Sequence, residues 1–141
     1  MGFFEIYLQG FLVVMVLMSI LWVISVIKTD ASIVDPFWSF GFVLAAAFYL
    51  VRTGGTESRQ ILLFALVLIW GLRLSLFLLR RNWGKGEDYR YQDFRKRFGE
   101  QRYWWLSFFQ VFLLQGFLLW LISAQLLGAM YYSRDNSLNL T

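Results

Sequence analysis

The residues able to do chemistry are few and of restricted type. Histidine and cysteine are both absent. Their absence removes the commonest general base, the commonest metal ligand and any thiolate or disulfide. Chemistry must therefore use carboxylates, tyrosine, arginine, glutamine or a bound cofactor, and no residue is assigned to a metal. Among the polar residues in or beside long apolar runs are Asp35, Arg73, Gln110 and Gln115, with Trp38 one turn from Asp35. A second group, Lys85, Glu87, Asp88, Tyr89, Arg90 and Tyr91, falls in one polar segment.

Arg73 is the only formal charge deep in an apolar run. It lies seven residues before Arg80, roughly 10 Å below the polar boundary at 1.5 Å per residue. Two readings stand side by side. The side chain snorkels to the interface, or it is a buried cation paired with a carboxylate or an anionic ligand group. Asp35 is the nearest pairing candidate by depth. Gln110 and Gln115 are five residues apart, about 140° around an α-helix, so they do not share a face. One is expected to bond to a neighbouring helix and the other to face a cavity, with plain interhelical bonding as the simpler reading.

The elements that must position these residues are set by hydropathy. Of 141 residues, 59% are apolar and only 16% charged, against about a quarter charged in soluble domains. The charges are also clustered. A bilayer core of ~30 Å needs about 20 apolar residues in a helix, and four runs approach or meet that length: 3–27, 36–52, 61–79 and 104–130. The backbone must bond within each segment because lipid offers no partner, so these runs are helices. The second is short, which leaves open whether it crosses or re-enters. Asp35 followed by Pro36 reads as its start, a capping carboxylate before proline at the first helical position. Gly41-x-x-x-Ala45 and Gly71-x-x-x-Ser75 offer small-residue faces on neighbouring spans, or arise by chance. The expectation is a single all-α membrane domain over residues 1–141. The N-terminal run lacks a basic n-region and is too long for a cleaved signal.

The segment between the third and fourth runs carries Arg80, Arg81, Lys85, Arg90, Arg95, Lys96, Arg97 and Arg102, whereas the turn after the second carries only Arg52 and Arg59. Basic loops stay in the cytoplasm. Residues 80–102 and 28–35 are therefore expected there, both termini outside, and the membrane a bacterial inner membrane. Within the loop, Tyr91, Phe94 and Phe98 recur at i, i+3 and i+7, with acids at the start, bases at the end and Gly99 beyond. That pattern predicts a short amphipathic helix on the membrane surface, its bases meeting anionic headgroups. The sharper alternative for Lys85, Glu87, Asp88, Tyr89, Arg90 and Tyr91 is a lid over a cofactor; Gly84-Lys85-Gly86 is no phosphate-loop motif. The net charge of +4 orients the chain in a bilayer; no nucleic-acid partner is expected.

Taken together, several blocks resemble one family. Residues Val34-Asp35-Pro36-Phe37-Trp38-Ser39, Trp70-Gly71-Leu72-Arg73-Leu74, the stretch from Arg81 to Tyr91 and that from Ser107 to Gly116 are similar, in order and spacing, to bacterial membrane proteins of the DUF1295 group. These are relatives of steroid 5-alpha-reductases. The match covers residues 30–127, and residues 137–140 resemble the loop leading to that family's next span. The resemblance implies a helical membrane enzyme that uses NADPH to reduce a carbon–carbon double bond of a lipid or steroid. Asp35 is then the best candidate for the catalytic acid, Trp38, Arg73, Gln110 and Gln115 for a substrate cavity, and the Lys85-to-Tyr91 group for the cofactor side. Members of that family carry a histidine-containing motif and most cofactor contacts in a further C-terminal half, which is not among these residues. The expectation is therefore a truncated reductase-like protein acting as a non-catalytic accessory subunit of a larger membrane complex, with no cofactor of its own. The alternative is an NADPH-dependent C=C reductase, present as a fragment or as half of a split enzyme. A transporter or channel would want more polar residues along the spans.

Overall fold

The computed structural model describes residues 2–132, so the segment 137–140 lies outside the described residues. In order, α1 spans Phe3–Lys28, a 3-10 turn Ala31–Ile33, α2 Val34–Arg52, α3 Ser58–Asn82, α4 Tyr89–Phe98, α5 Tyr103–Ser107, a π-helical turn Phe108–Leu113 and α6 Leu114–Tyr132. There is no strand among the described residues. Four stretches are long and apolar enough to cross a membrane: Phe3–Lys28, Ala31–Arg52, Ser58–Asn82 and Tyr103–Tyr132. The chain is thus an all-helical protein compatible with integral insertion in a bilayer.

The shortest span holds the centre. α2 packs against α1, α3 and α6, because its small residues let three helices approach. Ser39, Gly41, Ala45 and Ala46 are all buried. The two small-residue faces do not meet each other. Gly71 does lie against α2, where a Cβ would run into Val43 and the Ser39 carbonyl, and Ser39 Oγ donates to the Gly71 carbonyl at 3.1 Å. Gly41, however, faces Leu119 of α6 and Leu17 of α1. A helix packed on three sides needs small residues all round, so one GxxxA stripe does not name its neighbour.

The start of α2 also differs from the expectation. The helix begins at Val34 and runs unbroken to Arg52, about 28 Å at 1.5 Å per residue. Asp35 and Pro36 lie inside its first turn, where backbone N–H groups have no helical acceptor and proline costs little. No side chain caps α2; Asp30 caps the 3-10 turn before it. Its carboxylate accepts the Ser32 N–H at 3.0 Å and the Ser32 hydroxyl, and so nucleates the 3-10 turn. Asp35 is left free to point elsewhere.

The fourth span is interrupted. The π turn Phe108–Leu113 packs on α1 and separates α5 from α6. Each π turn takes up an extra residue, so the 140° drawn for an uninterrupted α-helix between Gln110 and Gln115 does not apply. Such turns change which side chains face a helix's neighbours.

At the end of the bundle away from α4, aromatic and amide groups lock the helices. Tyr7 and Trp120 stack at 4.2 Å and exchange bonds, hydroxyl to Trp120 carbonyl at 2.9 Å and indole N–H to Tyr7 carbonyl at 2.8 Å. Gln60, wholly buried, donates to the Met130 carbonyl at 2.8 Å. In a low-dielectric interior each of these groups would be costly unpaired.

Candidate functional site

Residues 83–102, between α3 and the fourth span, fold back onto the junction of α1 and α2. Asp88 caps α4 by accepting the Arg90 N–H at 2.9 Å, and Gly99, at φ 95°, ends it. Tyr91 of α4 is buried and Phe94 packs against the core, while Phe98 is half exposed. The i, i+3 pair of the sequence pattern is thus turned toward the protein.

Glu87 anchors this segment. Its Oε1 accepts the Ala31 N–H at 3.0 Å and meets Arg95 Nη2 at 2.9 Å, while Oε2 accepts Arg95 Nε–H at 3.2 Å. Both side chains are largely buried, at 8% and 15% exposure. The Arg95 guanidinium also lies 4.8 Å above the Tyr103 ring. A bidentate, shielded pair of this kind is the strong form of a charge-assisted bond. Nearby, the Asp88 N–H donates to Ser32 Oγ at 3.3 Å.

Beside this anchor lies a cavity of about 360 Å³ lined by Asp35 and Trp38 of α2, Leu78, Arg81 and Asn82 of α3, Asp88 and Arg90 of the loop side, and Gln115 of α6. Behind its wall the Tyr91 hydroxyl donates to Asp35 Oδ1 at 3.1 Å and accepts from Gln115 Nε2 at 3.4 Å. Asp35 Oδ2 faces Arg90 Nη2 at 3.5 Å, and Arg90 Nε–H also donates to Asp88 at 3.1 Å. One polar cluster therefore joins three elements far apart in sequence. The Arg90 N–H and then its side chain hold the Asp88 carboxyl below the usual carboxylate range, and that bond raises Arg90 in return. Burial, then the neighbouring Asp35 charge, pushes the Tyr91 hydroxyl well above the usual tyrosine range, so it is a neutral donor at physiological pH.

Of the residues singled out from sequence, Asp35, Trp38, Asp88, Arg90 and Gln115 line one cavity, Tyr91 joins two of them, and Glu87 holds the loop that closes it. Lys85 and Tyr89 are exposed and line no part of it. Gln110 is partly buried, and its Oε1 is buried without a hydrogen bond among the described residues. The reading that pairs Arg73 with Asp35 is corrected, and Arg73 lines no part of this cavity. Arg73 lies exposed on the outer side of α3, and Asp35 takes Arg90 and Tyr91. Matched depth does not place two residues on facing sides. Arg81, Asn82 and Arg95 were read only as loop charges or not at all, since no spacing rule links α3's last turn to Asp35.

The nicotinamide dinucleotide that the family resemblance implies does not fit this cavity. About 360 Å³ is at the small end for ligand pockets, too small to enclose a whole dinucleotide, while the Asp35 and Asp88 carboxylates are balanced in its lining by Arg81 and Arg90. No group of three or more metal-ligating side chains occurs among the described residues.

Comparison with known families matches residues 21–141 to the profile described as "Protein of unknown function (DUF1295)". No curated protein and no solved structure gives a significant match.

Proposed function

The chain belongs to the DUF1295 family, and from that premise we propose that it binds the carbonyl end of a membrane-resident lipid or steroid-like amphiphile in the Asp35 cavity. The observation that carries this reading is that donor-bearing side chains from two helices line one cavity. Arg81, Asn82 and Gln115 bring N–H groups to a space that Trp38 and Leu78 make partly apolar. Ligand sites are mostly apolar with a few placed polar groups that set orientation. Tyr91 is a positioning residue here: held by Asp35, its hydroxyl takes one Gln115 N–H and so fixes that amide's direction. Donors aimed at a carbonyl oxygen polarise it, and an enone so polarised is open to reduction at its double bond. The reductase chemistry of the family resemblance would draw its hydride from a nicotinamide held by other residues.

The test is equilibrium binding of a steroid 4-en-3-one to the full chain in nanodiscs. Saturable binding is expected, with Gln115→Leu and Asn82→Ala each weaker by about tenfold, the value of one lost bond of ~1.4 kcal/mol. Arg73→Leu is expected to bind as the wild type does. Wild-type affinity in both Gln115→Leu and Asn82→Ala, or no saturable binding, sinks the proposal. Adding NADPH and following loss of the enone absorbance tests the reductase step.

The accessory-subunit reading is favoured by a different observation, the open outer side of α3 and its Arg73. The proposed setting is a bacterial inner membrane with α4 on the cytoplasmic side. Residues 28–35 meet the basic segment through Glu87 and Ala31, so both lie at one end, as the positive-inside rule requires. Arg80, Arg81, Lys85, Lys96 and Arg97 are exposed there and suit anionic headgroups.

A further inference from the structure

α3 is the least enclosed span, with 17% of its apolar window buried, against 28%, 50% and 33% for the others in chain order. Its outer side is ordered. Leu62, Leu66, Ile69, Arg73 and Leu76 follow at i, i+4, i+7, i+11 and i+14, and the four apolar members are each more than half exposed. This is the spacing of a helix-packing seam, with one charge toward its C-terminal end, and a lone polar residue in such a seam sets partner and register. Arg73 enters none of the ion pairs among the described residues. Arg80 and Arg81 already occupy the boundary roughly 10 Å away along the axis. A bare cation at that depth is unfavourable in hydrocarbon and is met in proteins by a counter-charge.

Resting on the accessory-subunit reading, we infer that the outer side of α3 docks a transmembrane helix from outside the described residues, one that carries an Asp or Glu at the depth of Arg73. A second copy of this chain cannot serve. No described carboxylate lies in the middle of a span: Glu5 is in the first turn of α1, Asp35 in the first turn of α2 and Glu57 caps α3. Two copies meeting through α3 would set Arg73 against Arg73. The partner is thereby defined by chemistry: an apolar helix with one acid.

The test uses the full chain in phosphatidylcholine vesicles with a designed Leu-rich transmembrane helix carrying a single Glu at matched depth. Helices with Gln or Lys at that position are the controls, and energy transfer between labels reads association. The Glu helix is expected to associate at least about tenfold more tightly than the Gln or Lys helix, a difference of ~1.4 kcal/mol. Arg73→Leu is expected to remove that preference, and Arg73→Glu to transfer it to the Lys helix. Equal association of the Glu and Gln helices overturns the inference, as does a preference that survives in Arg73→Leu. If Arg73 instead serves lipid phosphate, the Glu preference is absent and the inference fails. The subunit reading is tested separately, by the mass of the native assembly in mild detergent, so the two can fail independently.

Discussion

The Tyr91 hydroxyl donates to the Asp35 carboxylate across 3.1 Å and 56 residues of sequence. This bond holds α4 against the first turn of α2 and sets one wall of the cavity. It also replaces the Arg73–Asp35 pair suggested by depth alone, and the two arrangements differ in their mutational consequences.

Stability of Asp35→Asn, Tyr91→Phe and Arg73→Leu, singly and in pairs, separates them. Asp35→Asn with Tyr91→Phe is expected to show a coupling of about 0.5–2 kcal/mol, as for residues sharing one bond. Asp35→Asn with Arg73→Leu is expected to add within ~0.5 kcal/mol. Unfolding by denaturant in mixed micelles measures both; additivity of the first pair would remove the Tyr91–Asp35 bond from the account.

Glu87→Ala leaves Arg95 shielded and without its carboxylate, and frees the Ala31 N–H. A loss of about 2–4 kcal/mol is expected, just under the range for breaking a fully buried pair. The same change should expose residues 83–88 to protease. Glu87→Ala as resistant as wild type would show that the anchor is elsewhere.

Glycines differ sharply in what surrounds them. At Gly71 an added Cβ would meet the Ser39 carbonyl at 3.1 Å and Val43, whereas at Gly128 nothing lies within 4 Å. Gly71→Ala is expected to cost about 1–3 kcal/mol by overpacking, and Gly128→Ala to be neutral or stabilising by up to ~1 kcal/mol through helix propensity. Thermal unfolding of the two variants checks this; similar melting temperatures would mean that α2 and α3 are not so closely apposed.

The Asp88 cap makes the start of α4 pH-dependent. Its folded carboxyl titrates below the unfolded one, so its contribution is complete above the unfolded value of about 3.9 and is lost as pH falls through the lower folded value. Hydrogen-exchange protection at the first turn of α4, corrected for the intrinsic rate, is expected to fall below pH ~4. Asp88→Asn keeps a capping side chain and should flatten this dependence. An unchanged acid profile in that variant would assign the effect to another group.

How far each feature could be read from sequence depends on the range of the interaction behind it. The helical membrane fold was legible because lipid offers no partner to backbone groups, so hydropathy and length alone dictate four helices. The helix Tyr89–Phe98 was legible from its acidic start, its basic end and Gly99, which are local effects of the dipole and of a positive-φ stop. The polar residues of the site could be named because each stands out against an apolar background. Their pairings could not. Asp35 followed by proline reads as the cap of α2, but α2 has no side-chain cap; Asp30 caps the preceding 3-10 turn and Asp35 turns to Tyr91. Arg73 and Asp35 matched in depth but not in azimuth, and the π turn Phe108–Leu113 reset the register before Gln115. Sequence by itself thus determined which segments are helices and which residues are chemically unusual. Tertiary structure decided which of those residues meet, because facing and register depend on how three helices pack around α2, and no local rule contains that information.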